Sequence, residues 1–104
     1  MEITPEELKS VLDNGKQVVV IDIREPVEHT ICHLKEAKLI PMKEFPNRIH
    51  ELNPKDFIVL YCHHGIRSAQ VVLWLERNGF KNAKTLEGGI DAWAETVDPS
   101  MKRY

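Results

Sequence analysis

Apolar positions along this chain fall into two kinds of pattern. Val18-Val19-Val20-Ile21 and Phe57-Ile58-Val59-Leu60-Tyr61 are continuous runs rich in β-branched and aromatic residues, as expected of strands buried on both faces of a parallel sheet. Elsewhere the apolar residues spread to helical spacing. Leu8, Val11 and Leu12 form one stripe. It opens on Thr4-Pro5-Glu6-Glu7, a capping box with proline at the first helical position, and closes on Asn14-Gly15. Ala69, Val71, Val72, Leu73, Trp74 and Leu75 predict a second helix ending at Asn78-Gly79. Leu39-Ile40-Pro41 predicts a short strand, Phe45 to Leu52 a short helix, Pro54-Lys55-Asp56 a turn, and Val27 to Ile31 a helical turn inside a polar loop. Ala83-Lys84-Thr85-Leu86 predicts the last strand, Gly88-Gly89 a tight turn and Ile90 to Thr96 a closing helix. The polar tail from Asp98 to Tyr104 is expected to be loosely held. Strands alternating with helices predict an α/β fold, a small central parallel β-sheet flanked by helices on both faces.

With 104 residues the chain predicts one domain over 1–104. A hydrophobic content of 42% against 29% charged residues suits a packed core and argues against disorder. The longest apolar run, Phe57 to Cys62, is too short to span a membrane. Met1-Glu2-Ile3-Thr4-Pro5 has neither a basic region nor an apolar stretch, so no signal peptide is expected. Cytoplasm is the default location, where two cysteines read as free thiols. A formal net charge of −2 gives no support for nucleic acid or an anionic membrane as partner. Oligomeric state is left open.

The chemistry concentrates in Tyr61-Cys62-His63-His64-Gly65-Ile66-Arg67-Ser68. A thiol stands where a strand ends, and a helix starts just beyond it. Loop amides and the helix N-terminus then point at one spot beyond the sulfur, which holds an anion and favours a thiolate. The plainer reading is a cysteine serving as a small apolar residue. Its neighbours weigh against that. Gly65 permits a positive φ, Arg67 supplies a cation for an oxyanion, Ser68 reads as helix N-cap, and His63 and His64 add polarity. In open α/β sheets ligands bind beyond the carboxyl ends of the strands, so Asp22, Arg24 and Cys62 should share one rim. Only His63-His64-Gly65-Ile66 separate Cys62 from Arg67. The cysteine-dependent phosphatases have one residue more. The tighter cradle suits a sulfur atom carried on Cys62 better than a tetrahedral phosphoryl group.

With these motifs the chain resembles a single-domain rhodanese over nearly its whole length. Asp22-Ile23-Arg24-Glu25-Pro26-Val27-Glu28-His29, His33-Leu34 with Ala37 and Ile40-Pro41, the loop Tyr61 to Ser68, and Leu86-Glu87-Gly88-Gly89-Ile90-Asp91-Ala92-Trp93 each match a family segment. Two positions depart from the pattern: Cys32 and Glu36 stand where the family commonly has glycine.

The resemblance implies a rhodanese-like fold and a sulfurtransferase with Cys62 as catalytic nucleophile. Cys62 would take a sulfane sulfur from thiosulfate or a persulfide donor, and pass it to a thiophilic acceptor, cyanide in the test tube. Substrate binding falls to His63, His64, Gly65, Ile66, Arg67 and Ser68, with no cofactor and no metal. The implied partners are a small anionic sulfur donor and a protein or low-molecular-weight thiol acceptor. Asp22 and Arg24 are expected to tie the rim through ion pairs instead of touching substrate. Gly88-Gly89 should allow close backbone packing near the loop, and Trp74 and Trp93 belong to the core. Cys32 is weighed as a resolving thiol and as a bystander, the second preferred. The alternative function is a sulfur-carrier or docking module with little free turnover. A phosphatase or arsenate reductase ranks third because of the four-residue gap.

Overall fold

The computed structural model describes residues 1–104. Its strands are β1 (Glu2–Ile3), β2 (Val19–Asp22), β3 (Ala37–Leu39), β4 (Ile58–Tyr61) and β5 (Ala83–Leu86). They form one wholly parallel sheet in the order β1-β5-β4-β2-β3. The helices are α1 (Pro5–Asp13), α2 (Pro26–Ile31), α3 (Phe45–Arg48), α4 (Ile66–Arg77) and α5 (Gly89–Thr96).

The period-two geometry of a strand explains the apolar runs. Ile21, Ile58 and Leu60 face a core shared with Phe45 of α3 and Val71, Val72 and Leu75 of α4. Val20, Val59 and Tyr61 face a second core with Leu8 of α1 and Ile90 and Trp93 of α5. Both faces of β2 and β4 are therefore buried, as the continuous runs predict. The capping box at Thr4 forms in full: Thr4 Oγ1 accepts the Glu7 amide at 3.1 Å, and Glu7 Oε1 accepts the Thr4 amide at 2.9 Å.

Two expectations need correction, and one strand has no counterpart among them. The segment Phe45 to Leu52 is not one helix. Only Phe45–Arg48 is α-helical, between 3-10 turns at Met42–Glu44 and Ile49–Glu51. Arg48 leaves the helical region at φ −121°. Strand β1 carried no periodic signal because it is two residues long; pairing with Thr85 and Leu86 creates it. The tail is not loose. Met101 packs against the second core, and Tyr104 stacks on His63 with ring centroids 3.9 Å apart and an interplanar angle of 6°.

The two departures from the glycine pattern require no unusual backbone. Cys32 is extended at φ −164°, and no residue other than glycine has a positive φ.

Helix α2 has no fully buried residue, so polar contacts position it. Asp22, at the carboxyl end of β2, accepts Arg24 Nε at 2.9 Å and Nη2 at 2.7 Å, the Arg24 amide at 2.9 Å and the Tyr61 hydroxyl at 3.2 Å. His29 of α2 adds a 2.8 Å contact. Arg24 also donates to the carbonyl of Cys32, where α2 ends. Burial pushes the Asp22 carboxyl up, but the bonds from Arg24 and His29 outweigh it, and the group titrates below its ordinary range. Neither Asp22 nor Arg24 has any solvent exposure. Asp22→Asn would leave a buried guanidinium without its counter-charge and should cost about 3–5 kcal/mol in urea unfolding; a loss below ~1 kcal/mol would show that water reaches Arg24.

Candidate active site

Cys62 directly follows β4, the middle strand of the sheet, and is 1% exposed. The chain turns from β4 into α4 through His63, His64 and Gly65. Gly65 makes the turn at φ +102° and caps α4. An added Cβ would meet the Gly88 amide only at ordinary contact distance, 3.4 Å, so it is the positive φ that calls for glycine here. The first amides of a helix lack intrahelical partners, and here two of the loop and first-turn amides find the sulfur. The Gly65 N–H donates to Cys62 Sγ at 3.1 Å and the Ser68 N–H at 3.4 Å. Dipoles converging in this way stabilise negative charge on the sulfur and on an atom bonded to it.

The carbonyls of the same loop turn the other way. Cys62 O accepts the Ile90 amide at 2.9 Å, and His63 O accepts the Asp91 amide at 3.1 Å. The N-terminus of α5 thus holds the loop from behind. Gly89 makes this approach possible, since an added Cβ would lie 2.6 Å from Cys62 O and closer still to His63 O.

Ser68 differs from its predicted role. Gly65 takes the cap position, so Ser68 lies inside the first turn of α4 and is fully buried. Its hydroxyl is 2.6 Å from Thr85 Oγ1 and 3.5 Å from Cys62 Sγ, joining β5 to the loop. Ile66, first residue of α4, is 73% exposed and presents an apolar edge.

Arg67 is not free to act as an isolated cation. Its Nη1 and Nη2 donate to Glu28 Oε1 and Oε2 at 2.9 and 3.0 Å. The guanidinium brings the Glu28 carboxyl down to about 2; burial opposes this, and the Tyr104 hydroxyl, donating to Oε2 at 2.7 Å, assists. Tyr104 also accepts Arg24 Nη1 at 2.8 Å. One phenol therefore links the buried Asp22–Arg24 pair to the Glu28–Arg67 pair at the mouth of the loop. No sequence pattern marks Tyr104. Glu28 lies within a matching motif, but its pairing with Arg67 is visible only in three dimensions.

His63 and His64 stack at 4.0 Å, and burial together with the neighbouring His64 pushes the His63 imidazole below its ordinary range. Ligand atoms of His63, His64 and Asp91 come within 4.8 Å of one another. This group suits an ion poorly, because the rings lie face to face and Arg103 donates to Asp91 at 3.0 Å. His29 and His33 are engaged elsewhere, His29 with Asp22 and His33 with the His29 carbonyl. Both thiols are free. Cys62 belongs to the first core, whereas Cys32 packs against the second. No helix is long and apolar enough to cross a membrane.

The profile of the rhodanese-like domain matches residues 4–96. The chain is 44% identical over 105 residues to the "Probable adenylyltransferase/sulfurtransferase MoeZ" of Mycobacterium tuberculosis, a match covering 98% of this chain but 26% of that protein. The chain therefore spans about a quarter of that relative's length. A "Sulfurtransferase" of Allochromatium vinosum is 38% identical over 94 residues, covering 89% of this chain and 87% of that one. Among solved structures, a rhodanese-like domain protein from Staphylococcus aureus superposes with a TM-score of 0.86 at 36% identity, covering 100% of this chain and 99% of the other.

Two measurements check this geometry. Gly89→Ala should lose clearly more stability than Gly15→Ala. Both glycines have φ near +65° (+65 and +66), but nothing lies within 4 Å of a Cβ on Gly15. The Gly15 variant should lose only about 1–2 kcal/mol for the left-handed backbone, and equal losses would refute the close approach. The second check is pH. A carboxyl lowered from 4.5 to about 2 stabilises the fold fully above about pH 4.5, and that contribution fades as pH falls through about 2. Glu28→Gln should be less stable than the parent at pH 6, with the gap closed near pH 2; a constant gap would contradict the ion pair.

Proposed function

The chain belongs to the rhodanese-like domain family, and from that premise we propose that it is a sulfurtransferase working through a persulfide on Cys62. The observation that supports this best is the pair of amides, Gly65 and Ser68, aimed at the Cys62 sulfur at 3.1 and 3.4 Å. Relatives named for sulfur transfer, the Allochromatium protein among them, agree with it.

In the first half-reaction the Cys62 thiolate attacks the outer sulfur of the donor. A bond forms between Sγ and that sulfur, and the donor's sulfur–sulfur bond breaks. The electron pair leaves on sulfite when the donor is thiosulfate, or on a thiolate when it is a persulfide. The transferred sulfur then lies where the loop dipoles converge, and the amides stabilise its charge. In the second half-reaction a thiophilic acceptor attacks the terminal sulfur, and the pair returns to Cys62 as thiolate. The donor enters past Arg67, which is forked onto Glu28, with His63 and His64 beside it. Asp22 and Arg24 hold the rim and touch no substrate. This chemistry needs no metal or organic cofactor.

Intact-protein mass spectrometry tests the reading. After thiosulfate or glutathione persulfide, the wild type should gain the mass of one sulfur atom, reversed by reductant, and Cys62→Ser should gain none while keeping its circular dichroism. An adduct that survives in Cys62→Ser would sink the assignment. No adduct with either donor would favour a docking module.

A further inference from the structure

The arginines around the cysteine loop are already paired. Arg67 is forked onto Glu28, Arg24 onto Asp22 and Arg103 onto Asp91, while His64 lies 3.8 Å from the second Asp91 oxygen. Glu28 is also hard to displace from Arg67. Its Oε1 accepts the Glu25 amide at 3.1 Å, closing part of the cap of α2, and its Oε2 accepts the Tyr104 hydroxyl. Tyr104 is itself anchored by its stack on His63 and its bond from Arg24.

A doubly charged sulfur oxyanion entering this mouth must compete with a carboxylate for Arg67 and then sit beside that carboxylate. Like-charge juxtaposition of this kind suppresses wrong partners. A persulfide places different demands on the site. Its reactive sulfur is carried on an organic thiol, and the charge it brings can rest on the Gly65 and Ser68 amides alone. Space for the organic part adjoins the same guanidinium: a groove lined by Ile23, Glu25, Met42, Lys43, Pro46 and Arg67. The edges next to the pair are apolar, with Val27 68% and Ile66 73% exposed.

We propose that Glu28, held by Tyr104, is a specificity-determining residue that turns the site against sulfur-oxyanion donors and toward persulfides carried on an organic thiol. The inference rests on the Cys62 sulfur transfer proposed above. In the favoured step the Cys62 thiolate attacks the terminal sulfur of R–S–SH. The new bond joins Sγ to that sulfur, the donor S–S bond breaks, its electron pair leaves on R–S⁻, and the proton stays with the transferred sulfur. Nothing is oxidised or reduced overall.

The test compares single-turnover loading of Cys62 from thiosulfate and from glutathione persulfide in the wild type, Glu28→Gln and Tyr104→Phe. Glutathione persulfide should have the larger second-order constant in the wild type. Glu28→Gln should move the donor ratio toward thiosulfate by roughly fivefold, the worth of one half-exposed ion pair. The shift should appear as a lower half-saturating thiosulfate concentration and not as a faster limiting rate. Tyr104→Phe keeps the ring on His63 but removes one donor to Glu28, and should shift the ratio the same way by less. It decides the matter if Glu28→Gln proves unfolded by circular dichroism. A wild type that prefers thiosulfate, or a ratio unmoved in the folded variants, would overturn the role of Glu28 while leaving sulfur transfer intact. Failure of both donors to load the wild type would remove the sulfur-transfer reading itself.

Discussion

Asp22 and Arg24 are both withdrawn from solvent, and neither ion would be tolerable there without the other. Their mutual fork leaves donors and acceptors to spare, and those make four contacts with three other parts of the molecule. Asp22 takes the hydroxyl of Tyr61 from β4 and the ring of His29 from α2. Arg24 holds the carbonyl that ends α2 and the hydroxyl of Tyr104 in the tail. Helix α2 buries no side chain fully and is too short to be stable alone. Its position, and with it the position of Glu28, depends on this polar knot. Since Glu28 in turn holds Arg67, the buried pair reaches the mouth of the cysteine loop through two hydrogen-bonded steps.

The loop itself obeys a backbone constraint. Its amides can face the sulfur because its carbonyls accept hydrogen bonds elsewhere, from the first amides of α5. That requires α5 to approach within hydrogen-bonding distance of Cys62 and His63, and only a residue without a Cβ can sit at position 89. Gly65 and Gly89 therefore serve one purpose from two sides: the first turns the strand into a helix, the second lets a helix brace the turn. Charge on the sulfur is met by fixed dipoles, whereas the cation nearby is neutralised. On the proposals made above, the mouth is less welcoming to oxyanions than its sequence suggests, while the loop offers its dipoles to a single sulfur.

The continuous runs at Val18 to Ile21 and Phe57 to Tyr61 were readable as doubly buried strands because period-two burial on two faces leaves no polar position. Strand β5 was readable in full, and so were both ends of α1, whose capping signals are local. The break of the Phe45 to Leu52 segment was not legible, because apolar spacing there fits a continuous helix and the backbone departure at Arg48 is a product of its surroundings. Strand β1 was invisible for a simpler reason: two residues have no period, and only the edge of β5 makes them a strand.

In the candidate site the sequence by itself determined the thiol, the four-residue gap to Arg67 and the glycines, since these are covalent spacings and local conformational permissions. It also placed Asp22 and Arg24 at the end of a strand. Partnership was decided by tertiary structure alone. Arg67 read as a free cation until the fold brought Glu28 across from α2, 39 residues away in the chain. Ser68 read as a cap until Gly65 took that position and Thr85 claimed its hydroxyl. Tyr104, 80 residues from Arg24, lies in a tail with no pattern at all. Charge pairing and hydrogen bonding act over a few ångströms of space and are indifferent to distance along the chain, so no spacing rule could have named those partners.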